Sequence, residues 1–512
     1  MVAQLQQPAR FEKEVKSSDD GYTVISLKKE GIALVREQRR GALLGKSGKW
    51  ELEIIDTTLQ VAWSTELEVK PGVVLVGYEY EPTRLYLLFR EGETNFNHFQ
   101  LLTIPFHDKT YETDQIKFEM EFKITYFTMS GSSAIFGGYV NNEPAVLLYD
   151  RSSDHPKVLP GLFVSNISLL DVRANQNQSF NVLLAERRGK EKKTVILRTY
   201  DHQGNLLIDD IIDIDSRYTI STAITSSLER DEMMIIGTYA EGLGKPPMGF
   251  FSVVVDPFST QEVNYTDFTS LPHFLQYLGT RKAERVISKS NKSKLQGKLP
   301  DYNIHVSLHK IDERKDGFYL LAELYYQNSS SMNAYGTYPY SSSFYNPYPY
   351  SYYPYGMTPY SSRYYNSPGM PYSSSARQAD SHVIESTVLK FNSRGKVEKD
   401  ASMKLDNMRI PYLEQVADFT VVQDSIVILY KKEAKIIYEK EHGDAEEIAE
   451  TKQTTVQLKG NEHLKGEDRD EGTLRFWHDR TFYVWGYQTV KDTAREGEKT
   501  RYIFYVNSIR VD

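Results

Sequence analysis

Cysteine is absent from this chain of 512 residues. That absence excludes disulfide bonds, thiolate metal sites and cysteine nucleophiles together. Long hydrophobic runs are lacking too, because no stretch approaches the roughly 18 apolar residues that a membrane-spanning helix needs. We therefore expect no transmembrane segment.

An excess of positive charge is also missing. The formal net charge is −8 and the sequence pI is about 5.9, which argues against a general nucleic-acid binder because phosphate neutralisation needs a basic surface. Hydrophobic residues make up 40% and charged residues 25%, the proportions of an ordinary folded protein.

Signatures of catalytic sites are lacking as well. The stretch from Arg40 to Ser47 resembles a phosphate loop, but its first glycine is displaced by one position and Trp50–Glu53 alternates as a strand instead of starting a helix. His305 and His309 have no third ligand nearby. Two further acidic clusters read as solvated turns and not as calcium loops: Asp209, Asp210, Asp213 and Asp215, and Asp468 with Asp470. We predict no catalytic residue, metal site or cofactor, and the alternative of paired carboxylates in a central channel stays open.

What the chain does contain is an internal repeat of one strand type, about four apolar residues followed by small or polar ones. Its reference residues are Val35, Leu88, Phe136, Leu184, Ile236, Leu321, Leu429 and Trp485. The intervals between them are 53, 48, 48, 52, 85, 108 and 56 residues.

The two long intervals contain insertions, residues 271–299 and 327–380. Without them the intervals fall to 56 and 54, so the period stays close to 50. A second strand, closing on an Asp or Asn turn, follows most reference residues. Its turn residues are Asp56, Asp150, Asp201, Asp256 and Asn392.

An all-β period of this length predicts β-propeller blades of four strands each. We predict eight blades within residues 21–512, or seven if the first unit is partial, after an N-terminal extension at 1–20. The segment Ser508–Val511 is expected to complete the first blade beside Tyr22–Leu27, because closing the ring hides sheet edges.

The insertion at 271–299 is predicted to be a basic helix with its N-cap at Thr269 or Ser270 and Pro272 in its first turn. Phe274, Leu275, Leu278 and Ile287 form its apolar stripe. Its candidate partner-binding residues are Arg281, Lys282, Arg285 and Lys289, which suit an acidic protein, a lipid headgroup or nucleic acid. The alternative is a solvated helix that only packs on the propeller.

The insertion at 327–380 is rich in tyrosine, proline and serine. Between Tyr335 and Tyr372 it holds 13 tyrosines and 7 prolines in 38 residues, so we predict a disordered or polyproline-like loop between adjacent strands of one blade. Tyrosine offers rigid, half-polar contact area for a protein or glycan. The candidate contact residues are Tyr338, Tyr340, Tyr345, Tyr348, Tyr350, Tyr353, Tyr355 and Tyr360. A self-packed surface segment is the alternative.

Three consecutive pieces, Phe268–Leu278, Leu324–Tyr326 and the tyrosine-rich loop leading into His382–Gly395, resemble an uncharacterised group of exported, propeller-like proteins of Bacteroidota. The resemblance covers roughly Val263 to Leu405. It implies a cell-envelope location, periplasmic or associated with the outer membrane. The start, Val2-Ala3-Gln4 after Met1, fits the remainder of a cleaved signal peptide, with a cytoplasmic N-terminus as the alternative.

The expected function is a non-enzymatic scaffold or interaction component of that envelope, in a secretion, motility or surface assembly. Its expected partner is another protein or an envelope assembly. The alternatives are a carbohydrate-binding or carbohydrate-active protein that uses the channel, and nucleic-acid binding through the basic helix.

Overall fold

The structure is a computed structural model. It describes residues 4–16, 21–38, 49–91, 97–141, 143–153, 155–162, 167–188, 192–228, 232–242, 245–256, 258, 261–298, 300, 302, 304–327, 381–410, 414–441, 451–460, 462–468, 472–492 and 500–512. Within these residues the chain forms eight antiparallel sheets in a ring and one α-helix. The chain is a β-propeller.

Each blade is numbered in chain order, and its strands run from the axis of the ring outward. The first four blades consist of β2 (Thr23–Ser26), β3 (Ile32–Gln38), β4 (Lys49–Ile55) and β5 (Val61–Leu67); β6 (Val73–Glu81), β7 (Arg84–Glu91), β8 (His98–Pro105) and β9 (Glu112–Lys117); β10 (Lys123–Ser130), β11 (Ser133–Val140), β12 (Glu143–Asp150) and β13 (Pro156–Val158); β14 (Ile167–Ala174), β15 (Ser179–Arg188), β16 (Lys192–Asp201) and β17 (Leu206–Ile214).

The next three blades consist of β18 (Thr219–Thr225), β19 (Met233–Ala240), β20 (Gly249–Val255) and β21 (Val263–Asp267); β22 (His305–Arg314), β23 (Gly317–Gln327), β24 (Ser381–Phe391) and β25 (Val397–Ile410); β26 (Ala417–Val422), β27 (Ser425–Lys432), β28 (Lys435–Lys440) and β29 (Lys452–Thr455). Blade eight contains β31 (Leu474–His478), β32 (Thr481–Asp492), β33 (Thr500–Val511) and β1 (Leu5–Glu14), and β30 (Glu462–Glu467) also pairs with β32. The helix α1 (Thr280–Leu295) lies between blades five and six.

The predicted repeat is confirmed at the level of single strands. All eight reference residues lie in the second strand of their blade, from Val35 in β3 to Trp485 in β32. The turn residues Asp56, Asp150, Asp201, Asp256 and Asn392 end or directly follow third strands. Second strands are buried on both faces, which is why they read as apolar runs.

The core lies between the blades. In the described residues it divides into eight apolar clusters, each built from two successive blades. Trp50 of blade one meets Phe89 of blade two edge-on, with 4.9 Å between ring centroids. Burying one such side chain stabilises the fold by about 2–3 kcal/mol. Each blade therefore depends on both neighbours.

Polar contacts reinforce several of these interfaces. The Asp171 carboxylate accepts the backbone N–H of Thr225 at 2.9 Å, from blade four to blade five. The Asp418 carboxylate accepts the N–H of Phe476 at 2.8 Å, from blade seven to blade eight. In both cases a carboxylate of one blade satisfies a backbone donor on the inner strand of the next blade, β18 or β31.

Ring closure differs from the prediction. Ser508–Val511 belongs to β33, the third strand of blade eight, and does not pair with blade one. The strand that completes the ring is β1, which pairs with β33 from Leu5↔Val511 to Glu14↔Ile503. Leu5–Glu14, which lies within the predicted N-terminal extension 1–20, is therefore the outer strand of the last blade.

The sequence of β1 lacks the pattern typical of a strand. It reads Leu-Gln-Gln-Pro-Ala-Arg-Phe-Glu-Lys-Glu, with Pro8 near its start and few apolar residues. The pairing with β33 is irregular between Gln6 and Ala9, around that proline. An outer strand tolerates both features, since proline lacks the N–H that a central strand must donate.

We predict that Phe11→Ala weakens the whole ring. Phe11 is 8% exposed in the cluster between blades eight and one, and truncating a buried phenylalanine costs about 3–5 kcal/mol. The measurement is the midpoint of denaturant unfolding. Phe258→Ala is the matched control, because Phe258 is 97% exposed and should change the midpoint little. Equal midpoints for both variants would contradict closure through β1.

Candidate functional site

Both insertions leave the propeller on one face. Because the four strands of a blade alternate in direction, connections between blades and turns between second and third strands lie on the same side of the ring. The helical segment joins β21 to β22, and the tyrosine-rich segment joins β23 to β24. We call this side the insertion face.

The attachment points are also neighbours within blade six. His305, at the start of β22, stacks on Tyr325 with 5.4 Å between ring centroids. Next to it, Tyr326 stacks on His382 at 5.0 Å, and Gln327 pairs with Ser381 in the ladder. The tyrosine-rich insertion thus lies between adjacent strands of one blade, as predicted.

The segment before α1 is packed into the core. Phe268, Leu271, Phe274 and Leu275 are buried in the cluster between blades five and six. Phe268 and Phe274 stack with 4.3 Å between their ring centroids. The predicted apolar stripe is therefore real, but most of it lies ahead of the helix.

The helix begins later than predicted. Thr269 lies in a 3₁₀ turn whose cap is Asp267, and Pro272 lies in the irregular stretch that follows. The helix starts at Thr280, after Gly279 with φ +72°. A positive φ of this size suits glycine and breaks the helix that the apolar spacing suggested.

Asp267 holds both ends of the helical segment. Its carboxylate accepts the N–H of Thr269 at 2.9 Å and the Tyr302 hydroxyl at 2.7 Å, and it lies 2.9 Å from the Lys294 ammonium. Burial alone would raise the pKa of Asp267, but these partners lower it below its ordinary value. The carboxylate stays ionised and fixes the end of α1 against blade five.

Two carboxyl groups of blade six hold the start of the segment. Asp400 accepts the N–H of His273 at 2.8 Å and lies 3.2 Å from its Nδ1, and this hydrogen bond raises the pKa of His273. Glu385 accepts the N–H of Tyr277 at 2.8 Å. Complete burial, with the charges of Asp400 and Glu439, raises the pKa of Glu385 well above its ordinary value.

The predicted partner-binding cations lie on the outer face of this fixed helix. Arg281, Lys282, Arg285 and Lys289 are all exposed, as is Lys292 one turn further on. None of the five has an ion-pair partner among the described residues. Ala283, Val286 and Ile287 lie on the opposite side and pack against the core.

Other predicted positions fall outside the described residues. These are Tyr338, Tyr340, Tyr345, Tyr348, Tyr350, Tyr353, Tyr355, Tyr360, and the phosphate-loop-like stretch from Arg40 to Ser47. The strand predicted to follow that stretch is present as β4.

The axis of the ring presents a mixed surface. Six inner strands carry an irregularity that leaves one residue unpaired with the second strand, a bulge that re-aims side chains. These residues are Val76, Thr125, Leu170, Ser221, His309 and Trp477. All but the buried Trp477 are partly exposed. Five of the six carry apolar or hydroxyl side chains, and His309 is the one ionisable residue among them.

The two histidines of β22, His305 and His309, have different partners. The Nε2 of His309 lies 2.9 Å from the Glu323 carboxylate. The same carboxylate accepts the N–H of Ala417, a residue of blade seven, at 2.7 Å. Burial lowers the pKa of His305, which stacks on Tyr325. Among the described residues, no group of three or more histidine and acidic side chains is placed to hold a metal ion.

The acidic cluster on β17 and directly after it makes local contacts. Asp209 pairs with Arg198 at 3.0 Å, Asp210 accepts from Gln261 at 2.7 Å, and Asp215 pairs with Arg217 at 2.6 Å. Burial raises the pKa of Asp210, and Arg217 lowers that of Asp215. Each of these three aspartates is thus held by its own neighbour on the outer part of the ring.

One group near the axis was not predicted. Glu79 and Glu81 on β6 are partly exposed beside Tyr80, and Glu81 accepts the Tyr86 hydroxyl at 3.0 Å. Burial raises the pKa of Glu79 to about 8, against the opposing effect of a hydrogen bond with Thr128. In the sequence, the alternation Tyr-Glu-Tyr-Glu at 78–81 was the pattern that could have indicated this pair of glutamates. Glu385 and Asp400 had none, since their partners lie more than 100 residues away.

Comparison with known proteins gives no family. No family model matches the chain, and no curated protein matches it. Within the described residues no helix is long and apolar enough to cross a membrane.

Several solved structures are similar in fold. The polysaccharide lyase Uly1 shares 8% identity at a TM-score of 0.37, covering 86% of this chain and 90% of its own. The Dos1 propeller shares 11% at 0.37, covering 85% and 92%. The β-propeller domain of the Trilobed protease from Pyrococcus furiosus shares 10% at 0.32, covering 84% and 95%. At these values the likeness says nothing about function.

We predict that Glu385→Gln stabilises the protein, and more so as the pH rises. The folded state keeps this carboxyl protonated while the unfolded chain ionises it above about pH 4.3, so the native protein loses stability above that pH. Gln retains the acceptor for Tyr277. The gain in unfolding free energy should be near zero at pH 4.5 and grow toward pH 7, by at most about 1.4 kcal/mol per pH unit because one proton is involved.

Denaturant unfolding at the two pH values checks this, with the exposed Glu262→Gln as the control. His273 also makes the protein less stable as the pH rises, with or without the Glu385 substitution. Its raised pKa adds stability below about pH 6.5, and this stability is lost as the pH rises through the pKa of the folded state. A gain that is the same at both pH values would exclude a protonated Glu385.

Proposed function

We propose that this protein is a non-enzymatic binding propeller that engages a partner protein or envelope assembly through its insertion face. One observation carries the proposal: both large insertions leave the same face at neighbouring strands of blade six, and the helical one is fixed there with its cations outward. Binding residues tend to occupy segments that a rigid scaffold positions.

The electrostatics support a partner on this side. The chain as a whole is acidic, yet the exposed face of α1 collects arginine and lysine against the single acid Glu284. The attached tyrosine-rich insertion adds side chains that favour contact with proteins and glycans. The helical segment and the tyrosine-rich insertion both attach at strands of blade six.

The location belongs to the same proposal. The resemblance of Val263–Leu405 to exported propeller-like proteins of Bacteroidota supports a role in the bacterial envelope, in a secretion, motility or surface assembly.

The second candidate is a carbohydrate-active site on the axis. Glu79, with its pKa raised to about 8, lies on the same strand as Glu81 and Tyr80. A carboxyl that stays protonated at neutral pH is the form a general acid needs. Alternate residues of a strand share one face, so the two glutamates face the same side.

We predict that removing residues 329–375 leaves the propeller folded and abolishes partner capture. The removed stretch lies between paired strands whose ladder starts at Gln327 and Ser381, so the blade keeps its register. The measurement is affinity purification from the native organism with mass spectrometry, together with the melting temperature.

Removal of residues 443–449 is the matched control. That stretch joins β28 to β29, on the opposite face, and its loss should leave capture intact. Retained capture by the 329–375 deletion would move the binding surface away from the tyrosine-rich insertion.

For the axial site, we expect Glu79→Gln to abolish any release of reducing ends from a panel of polysaccharides. Loss of a general acid lowers turnover by about 10²–10⁴-fold. Activity should also fall as the pH rises through about 8, where Glu79 loses its proton. The exposed Glu112→Gln is the control. No release by the unaltered protein on any substrate of the panel would remove this candidate.

A further inference from the structure

The helix α1 carries charges that weaken it as a helix. Arg281 and Lys282 lie in its first turn, where no acidic residue is present. The positive end of the helix dipole disfavours cations at this position. Arg281, Arg285 and Lys289 are also spaced four residues apart, and like charges at that spacing repel one another. Packing and the Asp267 contacts hold the helix in spite of these charges.

The five cations form one continuous surface. At 3.6 residues per turn, Arg281, Lys282, Arg285, Lys289 and Lys292 fall within an arc of about 100° and extend about 17 Å along the axis. Lys294 lies outside this arc and turns to Asp267 instead. We call these five residues the basic face.

An exposed apolar side chain borders the basic face. Leu295 is 89% exposed and ends the helix, one turn from Lys292. Bare phosphates or sulfates gain nothing from a leucine, whereas a protein segment buries it favourably. The cations also occupy one narrow stripe on an otherwise acidic chain, which matches a single strand or helix better than a duplex or a bilayer surface.

We propose that the basic face, together with Leu295, docks an acidic amphipathic segment of a partner protein. This inference rests on the proposed function and names the chemistry of its partner. The acidic segment neutralises the repulsion within the basic face, and an apolar side chain of the segment covers Leu295.

The test uses the full chain and a labelled helical peptide of glutamate with leucine at every third or fourth position. Fluorescence anisotropy should show that the peptide binds the unaltered protein, and that it binds about tenfold more weakly to the double variant carrying Arg285→Glu and Lys289→Glu. Lys459→Glu with Lys465→Glu, exposed lysines of the chain outside α1, is the matched control and should bind as the unaltered protein does. Equal binding by both double variants would overturn the proposal.

Two further variants separate docking from general charge. Leu295→Ser should weaken binding of the leucine-containing peptide several-fold but leave binding of polyglutamate unchanged. Arg281→Glu should weaken peptide binding while the melting temperature stays the same or rises, because an acid suits the first turn. A fall in melting temperature with unchanged binding would show that Arg281 serves the fold alone.

Oligothymidylate and phosphatidylglycerol vesicles test the other occupants. Binding of either probe more tightly than the peptide, at the same ionic strength, would replace the acidic segment with nucleic acid or lipid. If the unaltered chain captures a partner from its organism and the variant carrying both Arg285→Glu and Lys289→Glu captures the same partner equally well, this inference fails while the proposed function stands. If it captures none, the proposed function fails and the peptide result stands by itself.

Discussion

The pairing of β1 with β33 is the constraint on which the rest of the structure depends. Every apolar cluster in the described residues lies between two successive blades, so each blade is stable only with a neighbour on both sides. The pairing brings the two ends of the chain into one sheet and allows blade eight to pack against blade one. Phe11 and Trp477 lie in this closing cluster, and the Trp477 indole donates to the carbonyl of Gly31 at 3.0 Å.

A closed ring gives the insertions a fixed base. Carboxylates of blades five and six hold the segment from Phe268 to Tyr302 at both ends, and aromatic rings fill the space beneath it. The helix can therefore keep a charge pattern that an isolated helix of this length would not tolerate. A fold that provides stability elsewhere leaves the outer side of α1 available for a partner.

The part of the fold that could be predicted is the part fixed by local pattern. Second strands such as Leu85–Leu88 are buried on both faces and read as apolar runs, so their period revealed eight blades. The strand β1 has no such pattern because it is an outer strand with Pro8. Likewise, the apolar spacing before Gly279 predicted an early helix. The contact between His273 and Asp400 joins residues 127 apart, and only the folded ring brings them together.

Hydrogen–deuterium exchange on the full protein, with and without the partner that co-purifies from its organism, tests the central claim most directly. Binding at the insertion face predicts slower exchange in α1, Thr280–Leu295, and at the adjoining ends of β23 and β24, with the turns of the opposite face unchanged. Slower exchange confined to the opposite face, or to the inner strand β6 with Glu79, would contradict it.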